Sequence, residues 1–403
     1  MYDILIIGGG ASGLAAAISA RRANPNVSVA ILERNSRVGK KLLVTGNGRC
    51  NISNLDITKF RFHSNNIEIV ADVIENTSQT VKDFFASLGI PFVAEGDNLY
   101  PYSLQAAAVL DALRYECERL NVNIICDCKV NFIKKGFTLD TTKGVFKAKS
   151  VIVACGGNAM QSSGSDGSGV KLLSELGIKS SKTYPAIVPV KTELAPIKAL
   201  KGVKINGLVT LCDGVHTVKN RGEVLFTEYG MSGPAVMFIS RFVNETQRDV
   251  FASVDFLPDL SFEYIVDYLM QRKDAAYNYI AENLALGLLH KRVGQAVIKY
   301  CGFNVNDDTR SYSYEQVCQI ASAIKAFTVK VNSTCNFESA QTTAGGVYLT
   351  QINRKTFEVK NIPNLFICGE SLDCDGDCGG FNLHWAWVSG ITAGKSAAKG
   401  AQK

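Results

Sequence analysis

The spacing of apolar positions in this chain changes several times, and the first change comes within eight residues. Tyr2 to Ile7 is a short apolar run rich in β-formers, the pattern of a central parallel strand buried on both faces. It stops at Gly8-Gly9-Gly10-Ala11-Ser12-Gly13, and Leu14 to Ala23 continues as Ala-rich, helix-forming sequence. Val27 to Leu32 predicts a second buried strand, ended by Glu33. Val151 to Gly157 predicts another, ending in a glycine pair. Leu365 to Glu370 predicts a strand that ends in Gly-Glu. Gly379-Gly380 then leads into a final helix from about Asn382 to Ala398.

The middle of the chain has a different rhythm. Gly202–Leu211, His216–Lys219, Glu223–Phe226 and Val250–Val254 are short β-like runs separated by turns, which predicts a small β domain. From Ser261 to about Ala323 the period becomes helical, with Tyr264-Ile265-Tyr268-Leu269 and Ile280-Leu284-Leu288 near helical spacing. Asp307 to Tyr314 is a polar connection within it. Phe327 to Val331 predicts a strand returning to the β region. A fold that opens at the N-terminus therefore closes only at the C-terminus, with insertions between.

Gly8, Gly10 and Gly13 match G-x-G-x-x-G, with the strand before them and the helix after them that this motif requires. Gly8 allows the tight turn, Gly10 a close approach of backbone to a pyrophosphate, and Gly13 close packing of helix on strand. The phosphates then face the positive end of a helix dipole. Glu33 falls twenty residues after Gly13, where a carboxylate can accept hydrogen bonds from ribose hydroxyls and repel a 2′-phosphate. A second complete fingerprint is missing, so a resident NAD(P) domain is not expected.

Composition adds exclusions. With 46% hydrophobic and 20% charged residues the chain reads as globular, and 403 residues exceed one simple core. The formal charge of +6 is spread without a block of Lys and Arg, so no nucleic-acid partner is expected. No apolar run of about twenty residues predicts a membrane span. No secretory leader is read at the N-terminus, which points to the cytoplasm and to reduced thiols. Twelve cysteines at irregular spacing, without CxxC, predict no metal site. Cys374 and Cys378 form a CxxxC, but the neighbouring Asp373, Asp375 and Asp377 would raise a thiol pKa and oppose a reactive thiolate.

Several further motifs occur in order. They are Lys40-Lys41-Leu42-Leu43-Val44-Thr45-Gly46-Asn47-Gly48-Arg49-Cys50-Asn51, Tyr100-Pro101 with Ser103 and Ala106, Gly167 and Gly169, and Phe226 to Pro234. Thr343-Ala344-Gly345-Gly346-Val347 and the stretch from Gly369-Glu370 to Trp385-Ala386-Trp387 follow. Together they resemble the BaiN or HI0933-like family of NAD(P)/FAD-dependent oxidoreductases, which are flavoproteins of the glutathione-reductase-like type. The resemblance covers essentially the whole chain. It departs at Glu228, Phe381 and His384, where many relatives carry His, Tyr and Gln.

The resemblance implies an α/β chain with a Rossmann-like FAD-binding domain (residues 1–190 and 336–403), an inserted small β domain (191–256 and 326–335) and a helical insert (257–325). It implies FAD as cofactor, a small-molecule substrate, and NAD(P)H as a transient reductant. For the adenosine and pyrophosphate end, Gly8, Gly10, Ser12, Gly13, Glu33 and Arg34 are the candidates. Val130, ending the strand after Cys126, would hold adenine by backbone contacts. Lys41, Thr45, Gly46, Gly48, Arg49, Cys50 and Asn51 would line the middle of the cofactor or its isoalloxazine. Gly156, Gly157, Gly346, Gly369, Glu370, Gly380, Asn382 and Leu383 would approach from the later segments, with the final helix aimed at the flavin pyrimidine.

Three residues are candidates for chemistry: Arg49 to bind a carboxylate or stabilise flavin charge, Cys50 as a thiol beside the flavin, and His384 as a proton donor. Each has a plainer reading, as an ion pair, a small buried residue and a helix residue facing elsewhere. The expected chemistry is hydride transfer at flavin N5, either reducing a conjugated double bond or oxidising an amine or amino ketone. The other readings are a flavoprotein acting on RNA and a non-catalytic FAD-binding protein.

Overall fold

The computed structural model describes residues 1–275 and 279–400, so the expected helical insert and the C-terminal stretch each include positions outside the described residues. The chain divides into two compact units, Met1–Tyr184 with Gln341–Lys403, and Pro185–Ala340.

The first unit is built on a mixed seven-stranded sheet. Strand β1 (Tyr2–Ile7) pairs in parallel with β2 (Val29–Leu32) on one side and with Gly144–Val153 on the other. Asn123–Ile125 extends the sheet beyond β2, and Leu365–Ile367 pairs in parallel beside Val151–Val153. The last parallel strand thus comes from the far end of the chain. Ile4 to Ile7 and all of β2 are buried, as expected for strands covered on both faces. The strand at Gly144–Val153 begins earlier than the apolar run suggests. Its exposed first half pairs antiparallel with Thr138–Thr141, which pairs with Val130–Lys134.

Helix α1 (Ala11–Ala23) is rich in Ala and other small residues because it is sandwiched. One side lies on the sheet and the other on the terminal helix (Phe381–Gly400). The two helices pack backbone to backbone. A Cβ at Gly390 would lie 2.3 Å from the Ser12 carbonyl oxygen, and one at Gly394 only 2.1 Å from that of Ala16. Real Cβ atoms do not come so close, so these two glycines set the separation of the helices.

The second unit contains a closed six-stranded antiparallel barrel. Its order is Val190–Thr192, Gly230–Ser232, Thr217–Phe226, Lys204–Cys212, Val250–Asp255 and Phe327–Thr334. The runs at His216–Lys219 and Glu223–Phe226 turn out to be parts of one strand, which pairs residue by residue with Lys204–Cys212. Two three-residue strands escape a period-2 reading because they are too short to show a period. Helices Phe262–Lys273, Lys291–Tyr300 and Tyr314–Lys325 follow. Ser261 caps the first, and a Ser313–Gln316 capping box starts the last. Barrel residues such as Phe226 and Phe327 share one buried cluster with helix residues such as Leu269 and Ile324.

Gly394→Ala should lower stability by about 1–3 kcal/mol through overpacking at the helix crossing. Denaturant unfolding of the variant checks this, and wild-type stability would contradict the backbone approach at Ala16.

Candidate functional site

A cleft in the first unit is lined by Gly8–Ser12, Glu33–Asn35, Lys41, Val130, Glu370 and Asn382–Leu383, among other residues. One wall is the strand-to-helix turn. Gly8 has φ +104°, and a Cβ there would sit 2.5 Å from the Ala154 carbonyl oxygen, so only glycine fits. A Cβ on Gly13 would strike the Gly8 carbonyl oxygen at 2.0 Å. Gly10 differs: its backbone is extended (φ −82°), and no protein atom lies within 4 Å of the Cβ position. Two glycines of the fingerprint are therefore demanded by the fold. The third is demanded by nothing in the protein, so its missing side chain leaves open space in the cleft.

Gly10 starts α1 with no side-chain cap, and the first turn carries no acid. The first turn of a helix leaves its N–H groups without intrahelical acceptors. Here they open on the cleft, which suits an anion such as a pyrophosphate. The Glu33 carboxylate is buried at the end of β2. It accepts from Gly9 N (2.8 Å), Asn35 N (2.8 Å) and Asn35 Nδ2 (2.8 Å). A carboxylate offers about four acceptor positions, so one remains for a ligand hydroxyl.

Val130 lines the same end but opens the strand Val130–Lys134; it does not end the preceding one. The short strand Asn123–Ile125 stops first, and hydrogen bonds from Cys128 N to Glu33 O and from Asp127 N to Asn35 O fold the connection against the cleft. Asn35 and Cys128 were missed in the sequence. Asn35 had a weak signal, its place two residues after the acid. Arg34 pairs with Asp166 and reaches Gly164 O (3.4 Å), tying down the loop that carries Ser163 and Ser165.

Further along, Lys41 and Glu370 form an ion pair at 2.6 Å. The other Glu370 oxygen accepts from Thr343 N (2.8 Å), and Thr343 Oγ1 accepts from Asn158 N and Ala159 N. Thr343 thus pins the turn after the strand Gly144–Val153. At Gly157, Gly346, Gly369 and Gly380 a Cβ would meet Thr343, Leu372, Ser12 and Ser53 atoms at 2.8 Å or less, so these glycines serve packing. Gly156 faces the cleft. Asn382 lines it too, but its amide is engaged with Gly376 N and Gly376 O, which clamps the loop before the terminal helix. Trp385 Nε1 donates to Gly369 O and Trp387 Nε1 to Ile52 O, so both indoles act as struts.

None of the three residues proposed for chemistry is part of the cleft lining. Cys50 is fully buried, and burial pushes its thiol up to about 12, far from a thiolate at neutral pH. His384 is also fully buried and does not reach the cleft. Its ring nitrogens meet Ser53 Oγ (2.8 Å) and Thr77 Oγ1 (2.9 Å). Thr77 spends its single proton on Ile74 O, so it accepts from Nε2–H and leaves Nδ1 to accept from Ser53. Burial lowers the His384 pKa to about 4. A neutral, doubly engaged imidazole is a structural post and a poor proton donor. Arg49 pairs with Glu95 at 2.7 Å, near the cleft segment at Thr45 but outside its lining.

Gly46 and Gly48 shape the left-handed turn before Arg49, at φ +56° and +83°. The Asn51 amide spans Ser53 O (2.8 Å) and Gly380 N (3.2 Å). Of the other departures, Phe381 stacks edge-on against Phe62, and Glu228 is exposed and paired with Lys201. Cys378 has its thiol raised to about 11 by burial and by Asp377. All twelve cysteines are free thiols. No described helix is long and apolar enough to cross a membrane.

A mixed sheet with a parallel core, a glycine turn at an uncapped helix start and a buried acid on the next strand define a Rossmann-like dinucleotide-binding fold, and family membership makes it that of an FAD-binding oxidoreductase. The chain belongs to the family described as HI0933-like protein Rossmann domain, whose model matches residues 2–396. It is 34% identical to a 3-dehydro-bile acid delta(4,6)-reductase of Clostridium scindens, over 99% of this chain and 100% of that protein. It is 28% identical to a ribosomal RNA dihydrouridine synthase of Escherichia coli K12, over 96% of each. Among solved structures it shares its fold with a 3-ketosteroid-delta4-(5alpha)-dehydrogenase of Rhodococcus jostii RHA1 (TM-score 0.53, 17% identity, 98% of this chain and 96% of that one). A flavocytochrome c3 fumarate reductase is similar at TM-score 0.53 and 18% identity, over 100% of this chain and 79% of that one.

The depressed His384 pKa makes stability depend on pH. The folded value of about 4 lies below the unfolded value of about 6.5, so the unfolded chain binds the proton more readily between them. His384 should therefore cost little above pH 7 and remove about 2 kcal/mol of stability between pH 7 and pH 5. Urea unfolding at the two pH values measures this, and His384→Gln should flatten that part of the dependence.

Proposed function

We propose that the cleft holds FAD extended from Val130, past Glu33 and the Gly8–Ser12 turn, to the start of the terminal helix, and that the protein uses it to reduce a carbon–carbon double bond in a small organic molecule. The observation that carries this reading is Gly10. A helix start with no side-chain cap and an empty Cβ position beside a buried acid suits a pyrophosphate linked to a ribose. FAD bound there would supply hydride transfer at its N5.

The chain's own residues bind and orient. Backbone N–H groups at Gly10 to Ser12 receive the phosphates. Glu33 takes a ribose hydroxyl with its remaining acceptor position. Lys41 and Glu370 stand beside the middle of the cofactor, where their pairing holds the wall at fixed geometry. The N-terminus of the terminal helix, at Asn382 and Leu383, places positive potential where negative charge collects on a reduced cofactor. Double-bond reduction is preferred over amine oxidation because the bile-acid reductase matches the chain end to end at 34% identity. NAD(P)H is the proposed reductant and would visit the site transiently.

The RNA reading has one feature in its favour beside the names of two relatives. Exposed Lys134, Lys135, Lys143 and Lys147 lie on the antiparallel extension of the sheet and its turns, although the sequence shows no basic block. A co-purification assay with ribosomal RNA separates this reading from a small-molecule one.

Gly10→Val should abolish FAD retention and leave the fold intact, because only a ligand would meet the new side chain. Flavin absorbance per mole of protein, read with circular dichroism, checks both halves; tight FAD binding by the variant would refute the pyrophosphate placement. For the reductant, anaerobic mixing of the holoprotein with NADH and NADPH separately should bleach the flavin with at least one. Failure of both would remove NAD(P)H from the reading.

A further inference from the structure

We propose that Arg49 is a recognition site for the carboxylate of a small organic acid, kept ready by an internal stand-in, Glu95. Its place in catalysis rests on the flavin assignment above; the binding event itself does not.

The Arg49 guanidinium is fixed on three sides. Its carbon lies 4.4 Å from the centre of the Tyr100 ring, over the ring face. Nε points to Gly46 O and Nη2 to the Tyr100 hydroxyl, each at 3.4 Å. Tyr100 is buried, so this platform is rigid. The fourth side is different. Nη1 donates to Glu95 Oε2 at 2.7 Å, and the two side chains are 37% and 45% exposed. Glu95 ends the strand Phe92–Glu95 beside a hairpin turn and, among the described residues, makes no other side-chain hydrogen bond or ion pair. An exposed pair of this kind adds little net stability, so another carboxylate can replace Glu95 on the same donor. By contrast, Glu116 is nearly buried and is held by both Arg22 and Arg119, a pair built to stay closed.

The position also favours recognition. Arg49 follows Thr45, which lines the cleft, by one left-handed turn through Gly46 and Asn47. Tyr100 lies on the strand Asn98–Pro101, and Asn54 Nδ2 joins Asn98 Oδ1 (3.2 Å) to Gly379 O (2.8 Å), at the entry to the terminal helix. The arginine therefore stands between the two segments proposed to face the reactive end of the cofactor. A neutral substrate gains nothing by displacing Glu95, whereas a carboxylate restores the charge pair it breaks. Arg49 thus selects for anionic substrates, and Glu95 occupies its donor until one arrives.

Benzoate is a suitable probe, with benzamide as its neutral isostere. Each is titrated calorimetrically, at constant ionic strength, into the FAD-loaded wild type and into Glu95→Gln, Arg49→Gln and Arg49→Lys, with melting curves to establish folding. Glu95→Gln should tighten benzoate binding by about fivefold, the scale of an exposed ion pair. Arg49→Gln should abolish it, Arg49→Lys should weaken it less, and benzamide should respond to none of them. Unchanged benzoate affinity in Glu95→Gln, or retained binding in Arg49→Gln, overturns the proposal. Flavin content of the same samples reports separately on the flavin assignment.

Discussion

The approach of α1 to the terminal helix is the constraint on which the rest of the first unit depends. Gly390 and Gly394 let the last helix lie with its backbone against the carbonyls of Ser12 and Ala16. Two segments almost four hundred residues apart are joined there, and the strand Leu365–Ile367 completes the sheet beside Val151–Val153. Because α1 begins at the glycine turn and the terminal helix begins at Gly380, this one crossing fixes two helix starts on the same cleft. Any side chain at the crossing would force them apart.

Around that frame the polar groups are used sparingly and mostly for position. Glu33 is held by three donors, Glu370 by Lys41 and Thr343, and Asn382 by the loop it clamps. Each is a polar group at the cleft whose orientation is set by a neighbour, which preorganises the wall before any ligand arrives. The indoles of Trp385 and Trp387 do the same for the turns at Gly369 and Ile52.

Motif membership proved a poor guide to which side chains face the cleft. His384, Cys50 and Trp387 all belong to ordered signatures, yet each is buried, lies outside the cleft lining and is occupied with protein partners. A signature records every residue the fold needs at a crowded place, and most such needs are packing. Arg49 is the exception in part, because its exposed donor is shared with a carboxylate that can be exchanged.

What the sequence determined by itself was local. A strand, a glycine turn, a helix and an acid at fixed spacing follow from short-range sterics and periodicity, so β1, α1, β2 and the place of Glu33 were legible without coordinates. The order of the motifs was enough for the family and for a fold that starts at Tyr2 and closes in the last helix. Only the tertiary structure decided the roles within that frame. It separated Gly10, beside open space, from Gly8 and Gly13, beside carbonyl oxygens. It brought His384 to Ser53 and Thr77, and Arg49 to Glu95 and Tyr100, partners that no local spacing announces. Which way a side chain points depends on what the rest of the chain packs around it, and that is settled by long-range contacts that leave no period in the sequence.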